Sequence, residues 1–259
     1  MTAAGARTIY PFTPASLTAL DSNLNARFRG LDGHDWNEWF EIQCDNASTV
    51  PPGAERAWLN RKKASHKGIR ERLSLTHLIA GAADQSYLAE IGTLVNLERL
   101  ELEHPVTAHD LSPLHALKKL KHLRLVSPRR ITDFKPLLEL SSLKTLFIEN
   151  LGHMTEIDWL RGADHIEVLG IEGSIWKPHV IPSLAPLSGL KSLKAFFATS
   201  VRLKDQDLSA LGSCPRLEYL SCARFAPRAS FERLHALNSR LVCRWFGPEG
   251  WDDANLLRD

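Results

Sequence analysis

The chain has 259 residues, 44% of them hydrophobic and 24% charged, values that are ordinary for a folded protein. Lysine plus arginine (32) nearly balance aspartate plus glutamate (30), and a net charge of +2 does not by itself indicate a nucleic-acid or membrane partner. There is neither a run of about eighteen apolar residues nor the basic start and apolar run of a signal peptide. We therefore expect a cytoplasmic location.

The first 68 residues show no repeat, and we predict three elements in them. Thr13 and Pro14 are typical of a helix start, with Thr as the cap and Pro in the first turn, and the helix is expected to reach about Arg27. Residues Trp36 to Ile42 are predicted as a strand, and residues Ala54 to His66 as a second helix.

From about residue 69 onward an apolar pattern, LxxLxL, recurs along the chain. Its copies begin at Leu97, Leu120, Leu143, Ile166, Leu193 and Leu217, with degenerate end copies at Leu73–Leu75 and Leu241–Cys243. The leucine at the second apolar position recurs every 23 residues, at Leu100, Leu123, Leu146 and Leu169. Each copy predicts a short strand with one buried face, and stacking the copies produces one parallel sheet over a continuous core.

The segments between the strands are also patterned. Asp110–Leu117, Asp133–Leu140 and Ser183–Leu190 each begin with a capping residue, carry Pro near the start and repeat apolar residues at a spacing of three. This spacing predicts 3₁₀ turns or very short helices on the side opposite the sheet.

These residues resemble short bacterial and SDS22-like leucine-rich repeats, including those of the internalin family. The resemblance implies an α/β solenoid, a horseshoe with a parallel concave sheet, short 3₁₀ or helical convex segments and an N-terminal α/β cap. We divide the chain into a capping region (1–68), a solenoid of about seven or eight repeats (69–245) and a C-terminal tail (246–259) packed by Trp251. The family's asparagine after each strand is missing, so we expect less regular turns.

The capping region is expected to cover the first repeat, because the core at the end of a solenoid would otherwise face water. The apolar residues available for this cover are Trp36, Trp39, Phe40 and Trp58. A separate binding module in this region is an alternative that the sequence leaves open.

Residues between the leucines point outward on the concave face, where exposed aromatic side chains often anchor a partner. The candidate partner-binding residues are Phe147, Phe197, Tyr219, Arg124, Glu149, Glu172 and Trp176. Alternatively, the insertion at residues 173–182, which carries Trp176, folds over the aromatic residues. Basic residues concentrate at 118–135 and acidic residues at 149–172, which could orient a charged partner.

We find no catalytic residues, no cofactor motif and no metal-ligand spacing. Neither GxGxxG nor GxxxxGK[ST] occurs, and the histidines and four cysteines are scattered. The basic stretch from Arg56 to Arg72 indicates nucleic-acid binding only weakly. We therefore predict a non-catalytic protein–protein interaction scaffold in an effector, adaptor or immunity-type role. The alternative is a small-molecule or enzymatic role in the N-terminal region or the 173–182 loop.

Overall fold

The computed structural model describes residues 14–30, 36–151, 156–174 and 177–252. The helices are α1 (Pro14–Arg29), α2 (Trp36–Glu41), α3 (Gln85–Ile91), α4 (Ser209–Gly212), α5 (Arg228–Leu237) and α6 (Glu249–Asp252). The strands are β1 (Gln43–Cys44), β2 (Arg56–Asn60), β3 (His77–Gly81), β4 (Arg99–Glu103), β5 (His122–Val126), β6 (Thr145–Glu149), β7 (Val168–Glu172), β8 (His179–Ile181), β9 (Ala195–Ala198), β10 (Val201–Leu203) and β11 (Tyr219–Cys222). Short 3₁₀ helices lie at Ala47–Thr49, Ile69–Glu71, Ser112–Ala116, Lys135–Glu139, Asp158–Leu160, Ala185–Leu187 and Arg244–Phe246. No helix in the described ranges is both long enough and apolar enough to cross a membrane.

Nine strands form one parallel sheet in the order β1-β2-β3-β4-β5-β6-β7-β9-β11, and β8 pairs with β10 in a second, two-stranded sheet. The register aligns the leucines of successive repeats, so that Leu100 is opposite Leu123, and Leu146 opposite Leu169. Each interval of 23 residues is therefore one coil of the solenoid, as the sequence predicts.

The leucines of the repeat form a continuous core. Leu100, Leu123 and Leu146 are at most 1% exposed, and burying a leucine side chain contributes roughly 1.5–3 kcal/mol. On the convex side, the 3₁₀ helices at Ser112–Ala116 and Lys135–Glu139 carry Pro near the start and bury a leucine each. The prediction of a leucine-rich solenoid with short 3₁₀ convex segments is thus confirmed.

The turns after the strands are more regular than expected. Ala82, Ser127, Asn150 and Ser200 all have φ between 53° and 56°, each just after a sheet strand. The Asn150 amide donates to the Ser127 hydroxyl across neighbouring coils at 2.6 Å. A left-handed residue thus turns the chain at these four coils, in place of an asparagine ladder.

Two predictions for the N-terminal region are wrong. Residues Trp36–Glu41 form helix α2 rather than a strand, and the predicted helix from Ala54 to His66 contains strand β2. Strand β2 adds to the sheet because Ala57 and Leu59 lie opposite Leu78 and Ala80, on the buried face. It is a copy of the repeat with alanine in place of leucine, so the sheet extends into the region assigned to the cap.

The first and last copies of the repeat also differ from the prediction. The first copy of the repeat starts at Leu75, not at Leu73 as predicted, since Leu75 is fully buried whereas Leu73 is 55% exposed. At the other end, Leu241–Cys243 forms a single bridge, Tyr219 with Val242, rather than a strand. Helix α5 and the aromatic ring of Trp251, 5.8 Å from that of Phe231, close the C-terminal end.

The predicted N-terminal cap stays a prediction. Trp39 is buried, but Phe40 is 58% exposed and packs on Trp58, with ring centroids 5.2 Å apart. The helix predicted from Thr13 agrees with α1, although Thr13 lies outside the described residues. The described contacts of helix α1 are with the sheet face of the later repeats and with the 3₁₀ helix at Arg244–Phe246.

Candidate partner-binding face

Helix α1 lies across the concave face of the later strands. The hydroxyl of Tyr219 on β11 donates to a carboxylate oxygen of Asp21 at 3.0 Å. Phe28 stacks on the ring of Tyr219, with centroids 5.9 Å apart and planes 14° apart. Two strands further along the sheet, Arg29 binds Glu172 at the end of β7. The helix therefore runs from the last strand toward the middle of the sheet.

Three aromatic side chains under α1 form what we call the aromatic bed: Phe147, Phe197 and Tyr219. The expectation that they are exposed is wrong, because each is at most 2% exposed. Their rings contact one another in sequence, Phe147 with Phe197 at 5.2 Å and Phe197 with Tyr219 at 5.5 Å. Phe28 and the half-buried Leu24 of α1 complete this cluster. Trp176, a candidate partner-binding residue whose loop was the alternative cover for these rings, lies outside the described residues.

Gly170 makes room for the aromatic bed. It lies between Phe147 and Phe197 in the sheet register. A Cβ atom at Gly170 would be 2.1 Å from a ring carbon of Phe147, far inside van der Waals contact. The ring of Phe147 therefore lies over the glycine, and any larger residue would have to displace it.

Arg29 is clamped between the aromatic bed and a buried carboxylate. Its guanidinium donates to both oxygens of Glu172, at 2.7 and 3.0 Å, and the Glu172 side chain is only 7% exposed. The same guanidinium lies 4.6 Å from the ring centroid of Phe197 and 5.2 Å from that of Phe147. Bidentate and cation–π contacts of this kind are stronger when they are shielded from water.

The earlier strands carry alternating charges on the same face. This charged ladder consists of Arg99, Glu101, Glu103, His122, Arg124 and Glu149. Arg124 donates to both carboxylate oxygens of Glu149 at 2.7 and 3.0 Å, and contacts Glu101 at 3.2 Å. It also donates to Glu103 at 2.5 Å. The ladder exists because Glu101 and Arg124 occupy the same column of successive repeats.

Three carboxylates share Arg124, and the pKa values of two of them, Glu101 and Glu103, shift in opposite directions. Burial opposes ionisation of Glu101, but Arg99 and Arg124 outweigh it and hold the pKa of Glu101 below its ordinary value. For Glu103, burial together with the neighbouring Glu101 and Glu149 outweighs Arg124, so that the pKa of Glu103 is raised. The ladder thus has more acid than its arginines neutralise.

His122 is the neutral member of the ladder. Burial, followed by the charge of Arg99, lowers the pKa of His122 to about 3. Its Nε2 atom is buried without a hydrogen-bond partner, although the side chain as a whole is half-buried. An imidazole in these surroundings is uncharged at neutral pH, since a proton would add to the two arginines beside it.

Ser86 on α3 lies close to His66, but the directions of their hydrogen bonds do not suit nucleophilic catalysis. Ser86 Oγ lies 3.1 Å from His66 Nε2, and the Arg61 guanidinium lies 3.1 Å from His66 Nδ1. Because Arg61 can only donate, Nε2 carries the ring proton and donates to Ser86. Ser86 in turn donates to Asp84 at 2.9 Å. His66 therefore cannot accept the serine proton in this arrangement.

Other chemistry receives little support from the described residues. They include no group of three or more histidine, cysteine or acidic side chains placed to hold a metal. A convex-side pocket of about 180 Å³, lined in part by Ser183, Asp207 and Ser209, is smaller than the roughly 300–1,000 Å³ of small-molecule sites. In the basic stretch, Arg61 and Arg70 pair with Asp84 and Glu90.

Similar solved structures include internalins from Listeria monocytogenes. The internalin InlF has 20% sequence identity and a TM-score of 0.55, over 73% of this chain and 53% of its own. This chain folds as a leucine-rich-repeat solenoid. Internalin C2 has 25% sequence identity and a TM-score of 0.45, and the match covers 60% of this chain and 65% of internalin C2. The functional domain of InlJ has 15% sequence identity and a TM-score of 0.47, and the match covers 77% of this chain and 45% of that domain.

The solenoid spans about half the length of InlF. No protein-family model matches the chain, and no curated protein matches it. At this level of identity, the likeness establishes the fold, and function must be argued from the side chains of the concave face.

Proposed function

We propose that this chain is a non-catalytic protein-binding solenoid that holds its partner on the concave face, in an effector, adaptor or immunity-type role. The observation that carries the proposal is α1 itself. The concave face binds a helix of its own chain through an arginine chelated by Glu172 and an aromatic residue stacked on Tyr219. Buried aromatic and arginine anchors of this kind dominate the binding energy of protein interfaces.

The charged ladder supports the same proposal. Glu103, Arg124 and Glu149 are 21–31% exposed, so each presents part of its charge to a partner. Paired charges held on rigid strands favour partners with the complementary arrangement and reject others. Of the candidate residues, Arg124 and Glu149 belong to this ladder, whereas Phe147, Phe197, Tyr219 and Glu172 lie under α1. A partner must therefore meet the ladder directly and the aromatic bed only where α1 moves.

The test is affinity capture from native lysate with the full chain and two matched charge reversals. Glu103→Lys alters the concave ladder, and Glu139→Lys alters a convex residue with a 62% exposed side chain. We expect a protein that is retained by the wild type and by Glu139→Lys but lost from Glu103→Lys.

Two results would contradict the proposal. Retention of the same proteins by all three forms would remove the concave face as the binding surface. Failure of the wild type to retain any protein at native concentrations would contradict a protein-binding role altogether. Circular dichroism and the thermal midpoint establish that each variant is folded before capture.

A further inference from the structure

We propose that α1 is an exchangeable ligand of the aromatic bed. The bed and Glu172 recognise a helical segment whose last turn presents an aromatic residue followed by arginine, and a partner that carries such a segment displaces α1. This inference rests on the proposed protein-binding function and names the chemistry of the partner segment.

The recognised chemistry is defined by the last two residues of α1. Phe28 is 7% exposed and stacks on Tyr219, while Arg29 lies over two rings and chelates Glu172. An aromatic residue fits the end of the bed next to Tyr219. The guanidinium plane is required at the next position because a lysine ammonium cannot bind both oxygens of Glu172 and stack on the rings at once.

The solenoid does not need α1 to complete its main core. None of the described α1 side chains belongs to the core cluster that extends from Ala47 to Phe246. Within residues 20–29, Phe28 is the buried side chain, while Asn23 and Arg27 are exposed. Helix α1 is therefore held on the concave face by Phe28 and Arg29 of its last turn together with Asp21 and Leu24, and contributes nothing described to the main core. Segments with few buried apolar contacts open at a lower free energy than the core.

The vacated site would select its next occupant by charge. Without Arg29, the described contacts of Glu172 leave it the hydroxyl of Thr199 and no cation. A buried carboxylate without a cation is costly, and so are three aromatic rings turned to water. A replacement segment relieves both costs only if it brings an apolar ring and an arginine together.

The probe is a fluorescent peptide of residues 14–30, titrated against the full chain by anisotropy. In the wild type, tethered α1 competes at a high effective concentration and weakens binding of the peptide. We expect Phe28→Ala/Arg29→Ala, which loosens α1, to bind the peptide at least about tenfold more tightly than the wild type. Asn23→Ala, at an exposed position of the same helix, is the matched control and should behave as the wild type.

Two further arms establish the site and the chemistry. Adding Glu172→Gln to the double variant should abolish the gain in affinity, and a peptide with lysine in place of Arg29 should bind at least about tenfold more weakly. Hydrogen exchange of the double variant should accelerate in α1 while the strands keep their protection. The strands thereby report that the protein is folded.

Unchanged protection of α1 in the double variant would overturn the inference. So would a folded double variant that does not bind the peptide, or peptide affinity that is unaffected by Glu172→Gln. If the peptide arms fail while Glu103-dependent capture holds, the concave face binds proteins and α1 is a fixed part of it. If the peptide binds as expected while capture fails, the exchangeable site stands and the proposed function falls.

Discussion

The aromatic bed and the charged ladder are built on the same repeat, and they differ only in the outward columns of the strands. Behind both, leucines fill the core at positions such as Leu123 and Leu146. In front, the ladder pairs its own charges through Arg124, whereas the bed needs α1 to exclude water. The comparison shows that the repeat determines the scaffold, and that the outward residues determine whether a strand can face solvent without a cover.

Replacing Phe197 by alanine should have the largest effect, because it opens the centre of the aromatic bed. The ring is fully buried and contacts Phe147, Tyr219 and the guanidinium of Arg29. We expect a loss of about 3–4 kcal/mol in the free energy of unfolding, measured by urea denaturation at pH 7.

The matched control for this variant is Phe40→Ala, which removes a ring that is 58% exposed. It should cost less than about 1 kcal/mol. Equal losses in the two variants would mean that α1 does not shield Phe197 in solution, and the contrast between bed and ladder would disappear.

Gly170→Ala should have the next largest effect. The added Cβ would be 2.1 Å from the ring of Phe147, so the ring and α1 above it must shift. Overpacking of this kind costs about 1–3 kcal/mol. Gly53→Ala is the control, because a Cβ there meets nothing within 4 Å. A Gly170→Ala protein as stable as the control, with α1 equally protected from hydrogen exchange, would contradict the close packing of the bed.

The same contrast explains how much could be read from the sequence. Strands β4 to β7 could be predicted because their leucines recur at the same place in every coil, with a spacing of 23 residues. Strand β2 was missed because Ala57 occupies a leucine position, and neighbouring strands rather than local pattern bury it. Likewise, the strand predicted at Trp36–Ile42 is α2, since aromatic content alone does not distinguish a strand from a short helix.

The cover over the aromatic bed could not be predicted from local pattern. Asp21 and Tyr219 are 198 residues apart in the sequence, and nothing in the periodicity of either segment specifies their contact. A signal was nevertheless present. Phe147 and Phe197 flank Gly170 in one outward column, a combination that makes a flat apolar surface too large to leave in water.

His122→Gln tests the charged ladder through its pH dependence. The folded pKa of His122 is about 3, below its ordinary 6.5. Between pH 3 and pH 6.5, His122 is protonated in the unfolded chain but not in the folded protein. His122 therefore makes the protein less stable as the pH falls below 6.5. Relative to His122→Gln, the wild type should lose about 1–2 kcal/mol between pH 7 and pH 5.

Urea midpoints at the two pH values provide this measurement, and any pH-independent cost of the glutamine cancels in the difference. His109→Gln, which replaces a histidine at an exposed position, is the matched control. A His122→Gln protein with the same loss between pH 7 and pH 5 as the wild type would mean that His122 is hydrated, and that the ladder is more open than its contacts indicate.

The smallest effect is expected at Glu103, and its sign is the informative part. Because the folded pKa of Glu103 is raised, its contribution to stability is favourable at low pH and is lost as the pH rises through that folded pKa. Glu103→Gln keeps an oxygen acceptor for Arg124 and removes the charge. It should gain up to about 1 kcal/mol at pH 7, and the gain should vanish near pH 4.

Glu101→Gln should have the opposite sign, since the pKa of Glu101 is lowered and its ionised form supports the fold above its ordinary value of 4.5. Destabilisation by both variants at pH 7 would show that Arg99 and Arg124 neutralise every acid in the ladder. Opposite signs would establish an excess negative charge at Glu103. That excess is what a basic group of a partner would neutralise, so the sign of this small effect decides which partner charge the ladder favours.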